Sequence, residues 1–171
     1  IGTAPAGCTY VISASANKVT VQVTGSYRTK ANNTDHMQRT SSWVEGSTPT
    51  STILALFNST ITSATDANNC NSADQSWAGI VVTNPGVVFT INQKSTYILT
   101  LGSYGVNMTD ATQNFVINSL TALGADQTWL IGSSRTLTHG NTISGAGRKL
   151  TKSGNGTLVM TATNTYSGQT V

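Results

Sequence analysis

The stretch Phe115-Val-Ile-Asn-Ser-Leu-Thr-Ala-Leu-Gly-Ala-Asp-Gln-Thr-Trp-Leu-Ile-Gly-Ser-Ser-Arg-Thr-Leu-Thr-His139 decides the fold. Its apolar residues come in short alternating pairs, Phe115 with Ile117 and Trp129 with Ile131, rather than at helical spacing. Extended in both directions, the apolar centres are Leu101, Met108, Ile117, Leu123, Ile131, Leu137, Ile143, Leu150 and Leu158, six to nine residues apart. Every third centre predicts three columns: Leu101, Leu123, Ile143; Met108, Ile131, Leu150; and Ile117, Leu137, Leu158. A coil of about twenty residues with three short strands satisfies this spacing, each strand pairing with the one a full lap later. The expected fold is therefore all-β, a parallel β-solenoid.

Working outward, period-two alternation recurs at Val19, Val21 and Val23, at Tyr97, Leu99 and Leu101, and at Leu158 with Met160. Turn signals separate such runs: Asn84-Pro-Gly, Ser144-Gly-Ala-Gly and Ser153-Gly-Asn-Gly. The one helix-like stretch, Ser51 to Phe57, is short and suits a buried strand equally well. The composition fits. Thr, Ser and Asn supply 64 of the 171 residues, and only 9% are charged, too few for a long charged helix or a charge-driven disordered tail. Polar residues stacked at the strand spacing of about 4.8 Å can form hydrogen-bonded ladders, whereas stacked charges would repel. No apolar run approaches the roughly 18 residues of a membrane span.

The segment Leu150-Thr-Lys-Ser-Gly-Asn-Gly-Thr-Leu-Val-Met-Thr-Ala-Thr-Asn-Thr-Tyr-Ser-Gly-Gln-Thr-Val171 resembles the autotransporter passenger-associated repeat. The matching residues are Leu150, Thr151, Lys152, Gly154, Gly156, Thr157 and Leu158, then Asn164, Thr165, Tyr166, Gly168 and Thr170. The resemblance covers roughly residues 96–171. It implies a right-handed parallel β-helix in a secreted or surface-displayed bacterial protein. The motif normally runs on into another strand, so its last repeat reads as incomplete at Val171.

The first 75 residues carry no such motif and are expected to form an N-terminal β cap over the open coil end, with an additional small sandwich as the alternative and 76–171 as the β-helix. Both cysteines, Cys8 and Cys70, lie in this part, without metal-ligand spacing. A disulfide is the preferred reading, with two unrelated buried thiols as the alternative; closing such a loop stabilises by about 4 kcal/mol in the chain-entropy model. It would suit an oxidising compartment. The opening Ile1-Gly-Thr-Ala-Pro-Ala has no leader-like pattern, so a signal peptide has been removed or the start is a boundary of the sequence.

Few residues point to chemistry. The carboxylates are Asp35, Glu45, Asp66, Asp74, Asp110 and Asp126, and glycoside hydrolysis would need a pair converging on one groove. Asp110 and Asp126 are 16 residues apart, off the coil period. Asp35 and His36 are neighbours, and on a strand they would face opposite ways. His139 beside Gly140 reads as an exposed turn residue. Trp43, Trp77, Trp129 and the tyrosines could offer a sugar platform, with Trp129 better read as core. Four glycosylation-type sequons begin at Asn32, Asn58, Asn107 and Asn155, as expected by chance in so Asn- and Thr-rich a chain. The net charge of +3 comes from loose groups such as Arg28, Lys30, Arg39 and Arg148, Lys149, Lys152, too sparse for a nucleic-acid track. The expectation is a non-enzymatic structural protein without cofactor or metal. It would self-associate head to tail through its coil ends into a filament or surface layer. An adhesin binding glycans or a host surface is the alternative, and a polysaccharide-active enzyme the third reading.

Overall fold

The computed structural model describes residues 8–15, 18–25, 27–63 and 70–171. These contain strands, one three-residue 3-10 turn at Thr40–Ser42, and no α-helix. The first two strands, β1 (Cys8–Ser15) and β2 (Lys18–Gly25), form an antiparallel hairpin. The named strands after them pair only in parallel and wind a β-solenoid of about five turns.

The coil has three faces. One face stacks β3 (Tyr27–Thr29), β4 (Leu54–Phe57), the second half of β6 (Gln75–Val82) and the second half of β8 (Ile98–Met108). It continues through β11 (Gln127–Ile131) and β14 (Leu150–Ser153). The first halves of β6 and β8 turn a corner to join β10 (Leu120–Leu123) and β13 (Ile143–Ser144). The third face stacks β5 (Cys70–Asn71), β7 (Phe89–Gln93), β9 (Phe115–Ile117), β12 (Thr136–His139) and β15 (Thr157–Met160). At the corner inside β8, Gly105 has φ +67°, and a side chain there would press on the Thr128 carbonyl of the next lap. Glycine alone turns the chain at that point without strain.

Laps run longer than the expected twenty residues. Tyr27 pairs with Leu54, 27 residues on, and Thr136 with Thr157, 21 residues on. The region 1–75 contributes β3, β4 and β5 to the same faces as the later laps. The loop from Ala31 to Thr50 folds over the core with Met37 and Trp43 buried. The side chains of Cys8 and Cys70 lie outside the described residues, and with them the expected disulfide; so does Asp66.

Each predicted column is half right. Leu101 pairs with Leu123, Met108 with Ile131, and Leu137 with Leu158. One member of each set is displaced, by two residues in the first and third columns and by four in the second. Ile143 sits opposite Thr121, Leu150 opposite Gln127, and Ile117 opposite His139. A slip by an even number of residues keeps every side chain on the same face of its strand, so alternation alone cannot detect it. The observed columns are Phe89, Phe115, Leu137, Leu158 and Ile91, Ile117, His139, Met160. At the amino-terminal end the core is aromatic. Phe57 lies 4.9 Å from both Phe89 and Phe115, ring centre to ring centre, and Trp43 meets Trp77 edge-on at 5.6 Å. Pairs of this kind contribute about 0.5–1.5 kcal/mol beyond their buried area.

Candidate functional site

Three of the residues opposite the displaced positions are polar, and all three are buried. Thr121, Gln127 and His139 come from the three faces of one lap, and Ser119 joins them. His139 is 0% exposed and is no turn residue, which corrects the sequence expectation. It ends β12 with its ring inside the coil, because period two from buried Leu137 carries it inward. Its Nδ1 lies 2.9 Å from the Asn141 carbonyl and its Nε2 2.9 Å from Thr121 Oγ1. The carbonyl can only accept, so Nδ1 carries the proton, and the one proton of the Thr121 hydroxyl is shared between Nε2 and the Ser119 carbonyl at 3.1 Å. The ring stacks on Trp129 at 5.8 Å. Trp129 Nε1 donates to Gln127 Oε1 at 3.0 Å, while Gln127 Nε2 donates to the Leu101 carbonyl of the previous lap at 2.6 Å. Burial pushes the His139 pKa down to about 4, against the opposing effect of the Asn141 hydrogen bond. A neutral imidazole with both nitrogens occupied has no free position for substrate or metal; its chemistry here is cohesion.

The second group lies under the Ala31–Thr50 loop. Lys30 is 0% exposed, and its Nζ donates to the Ala31 carbonyl (2.8 Å), the Asn33 carbonyl (3.1 Å) and Asn33 Oδ1 (2.8 Å). Burial pushes its pKa down to about 8, with the charge of Asp35 pulling the other way. Asp35 and His36 stand on this loop and not on a strand, so the opposite-face argument does not apply to them. With Thr34 and Arg39 they line a shallow hollow of about 220 Å³. Asp35 Oδ2 accepts from Ser41 Oγ at 2.5 Å, and His36 Nε2 lies 3.3 Å from Lys94 Nζ.

Three of the other four described carboxylates hold backbone. Glu45 accepts from Thr29 N and Oγ1, Asp74 from Ile98 N, and Asp126 from Lys149 N. Asp110 and Asp126 flank opposite ends of one face, about 20 Å apart at strand rise, too far to share a glycosidic bond. Among the described residues no three His, Cys, Asp or Glu side chains gather as a metal site. Asn58 and Asn107 of the sequons bond locally, accepting from Thr60 N and from Thr109 N. Trp43 and Trp77 are buried together with Trp129, so no sugar platform is built on the indoles.

The repeat-motif residues occupy the last lap. Leu150, Thr151 and Lys152 lie in β14, and Thr157 and Leu158 in β15. Gly154, φ +77°, passes tightly over the Ile131 carbonyl of the lap beneath. Asn164 Oδ1 accepts from Ile143 N, Tyr166 and Thr170 share a hydroxyl contact at 2.5 Å, and Thr170 bridges to Leu150 in parallel. Lys152 Nζ donates to the Gly154 carbonyl, fastening the turn. Leu158, Met160 and Tyr166 are half-buried against the core. Comparison with known protein families, characterised proteins and solved structures finds no match to this chain.

Proposed function

We propose that this chain is a non-enzymatic structural element, a β-solenoid rod of a secreted or surface-displayed bacterial protein that extends head to tail by coil stacking. One observation carries this reading: its polar side chains are spent on joining one lap to the next. Asp74 reaches Ile98 N, Asn114 Oδ1 accepts from Thr136 N, Asn141 Nδ2 donates to the Asn118 carbonyl, Asp126 reaches Lys149 N and Asn164 reaches Ile143 N. Each such bond spans 21 to 24 residues of sequence, one circuit of the coil. An enzyme of this fold would hold carboxylates free in a groove; here four of the five described ones accept from a backbone amide or a hydroxyl. The surface location rests on the repeat resemblance. Coil stacking is supported by Gln169 and Val171, which add three backbone bonds to β14 through Leu150 and Lys152.

Electron microscopy and sedimentation of the purified chain across a concentration series test the reading. End-to-end oligomers whose length grows with concentration are expected. Strictly monomeric protein at millimolar concentration would refute head-to-tail stacking, and hydrolysis of a polysaccharide panel would refute the non-enzymatic role. The adhesin reading has no specific observation in its favour.

A further inference from the structure

We propose that Asn155 is a self-modification site guarded by the fold: the Gly156 amide nitrogen converts its side-chain amide to aspartate or isoaspartate, and does so only while the lap of β14 and β15 is lifted off the lap beneath. The proposal does not depend on the rod reading.

Asn155 is the one asparagine of the chain followed by glycine. The lap contact dictates that glycine. Gly156 passes so tightly over the lap beneath that a Cβ there would run into the Gly132 and Arg135 carbonyls. The consequence is chemical. The amide nitrogen after Asn155 has no side chain to shield it, and it can reach the Asn155 side-chain carbonyl carbon by closing a five-membered ring. The asparagine is able to turn toward it. Its side chain is exposed, makes no hydrogen bond to a described residue, and borders a hollow of about 420 Å³ that it shares with Thr109, Ser133 and Gly154.

One bond stands in the way. Gly156 N donates to the Ile131 carbonyl of the lap beneath at 3.0 Å, which holds both its proton and its direction. Thr157 N and Thr161 N tie the same stretch to the Arg135 and His139 carbonyls, so Gly156 is released when this end of β15 lifts. β15 is held by half-buried Leu158 and Met160, whereas Leu137 and His139 of β12 beneath it are fully buried, so β15 is the strand that lifts.

In the lifted lap, Gly156 N loses its proton to hydroxide and forms a bond to Asn155 Cγ. The Cγ–Nδ2 bond breaks, Nδ2 takes a proton from water and leaves as ammonia, and a five-membered imide remains. Water then opens the ring at either carbonyl, giving aspartate or, with the chain rerouted through Cγ, isoaspartate. The net change is one water consumed and one ammonia released. Isoaspartate inserts one more carbon into the backbone between 155 and 156. Gly156 has no slack against Gly132 to absorb it, and Thr157 no longer meets Thr136 in register. A lap that has reacted this way does not dock again in its old position.

The test follows the peptide from Ser153 to Val171, released by trypsin after Lys152, while the purified chain is incubated at mildly alkaline pH. Conversion adds about 1 Da, an NH exchanged for an oxygen, and fragmentation locates it at Asn155 and not at Asn164. The folded parent should convert about tenfold more slowly than the same chain in urea, and Leu158→Asp, which frees β15, should approach the urea rate. The isoaspartate form, separated chromatographically, should be cut faster after Lys152 than the parent. Asn155→Asp, with the charge but not the extra carbon, should resist as the parent does. Equal rates in the folded and unfolded parent would overturn the proposal, since the lap contact would then guard nothing. So would an unmodified Asn155 in the urea-unfolded chain, and so would isoaspartate protein as resistant to trypsin as Asn155→Asp.

Discussion

Acidification should weaken this solenoid through one residue, His139. The imidazole is buried neutral, its pKa lowered from 6.5 to about 4 by desolvation. Above pH 6.5 neither the folded nor the unfolded chain protonates it, and its contribution is constant. As the pH falls through 6.5 the unfolded chain takes up a proton that the folded chain refuses until about pH 4. Stability then falls by up to about 1.4 kcal/mol per pH unit, or about 3 kcal/mol over the window, and levels off below it. The assay is denaturant unfolding of the parent and of His139→Leu at several pH values from 7.5 to 3.5. The leucine variant removes the titration, so the difference between the two proteins cancels the carboxylates, which they share. At pH 7 the variant loses its bonds to Asn141 and Thr121 but gains an apolar contact with Ile117 and Met160. The parent should lose about 3 kcal/mol relative to it on going to pH 4. A stability difference that stays flat with pH would refute the reasoning, and an NMR titration placing the His139 pKa near 6.5 would show why.

Other outcomes follow from the packing. Leu137→Ala, inside the stack between Phe115 and Leu158, should cost about 3 kcal/mol in chemical denaturation, and Leu158→Ala, half-buried on the last lap, distinctly less. Leu158→Asp should release β15 and raise proteolysis after Lys152 while the aromatic laps keep their near-ultraviolet dichroism. Gly105→Ala should lower the melting temperature by several degrees, since the residue combines positive φ with close contact to the Thr128 carbonyl. Gln127→Leu should destabilise by about 1–3 kcal/mol, because it orphans the buried Trp129 Nε1 and leaves the Leu101 carbonyl with the Gly124 amide alone.

Much of the architecture can be read from the spacing of Leu101, Leu123, Ile131 and Leu137, because three strands per lap force apolar residues to recur at a near-constant interval. What escaped was interior polarity. Thr121, Gln127 and His139 look like surface residues, and choosing only apolar partners pushes the columns two or four positions out of register. Burial of such groups is decided by partners a lap away, such as Thr121 for His139 and the Leu101 carbonyl for Gln127, and one strand's pattern does not contain them. Lys30 was hidden for the same reason: its acceptors belong to a loop that folds back over it. Asp35 and His36 were read as a strand pair because the Ala31–Thr50 loop carries no periodicity that would mark it as irregular. That Asp110 and Asp126 do not stack on each other, by contrast, is legible from their 16-residue offset, short of a full lap.

The aromatic interlock of Trp43, Phe57, Trp77, Phe89 and Phe115 lies in the earlier described laps, and the thinner packing of Leu158 and Met160 in the last of them. The ribosome therefore delivers the adhesive rings before the stretches that must be laid upon them. Growth should then be vectorial, each emerging lap finding a finished template below. Pulled along its axis, the described laps should yield in the reverse order, the lap of Leu158 and Met160 before an aromatic anchor that yields last.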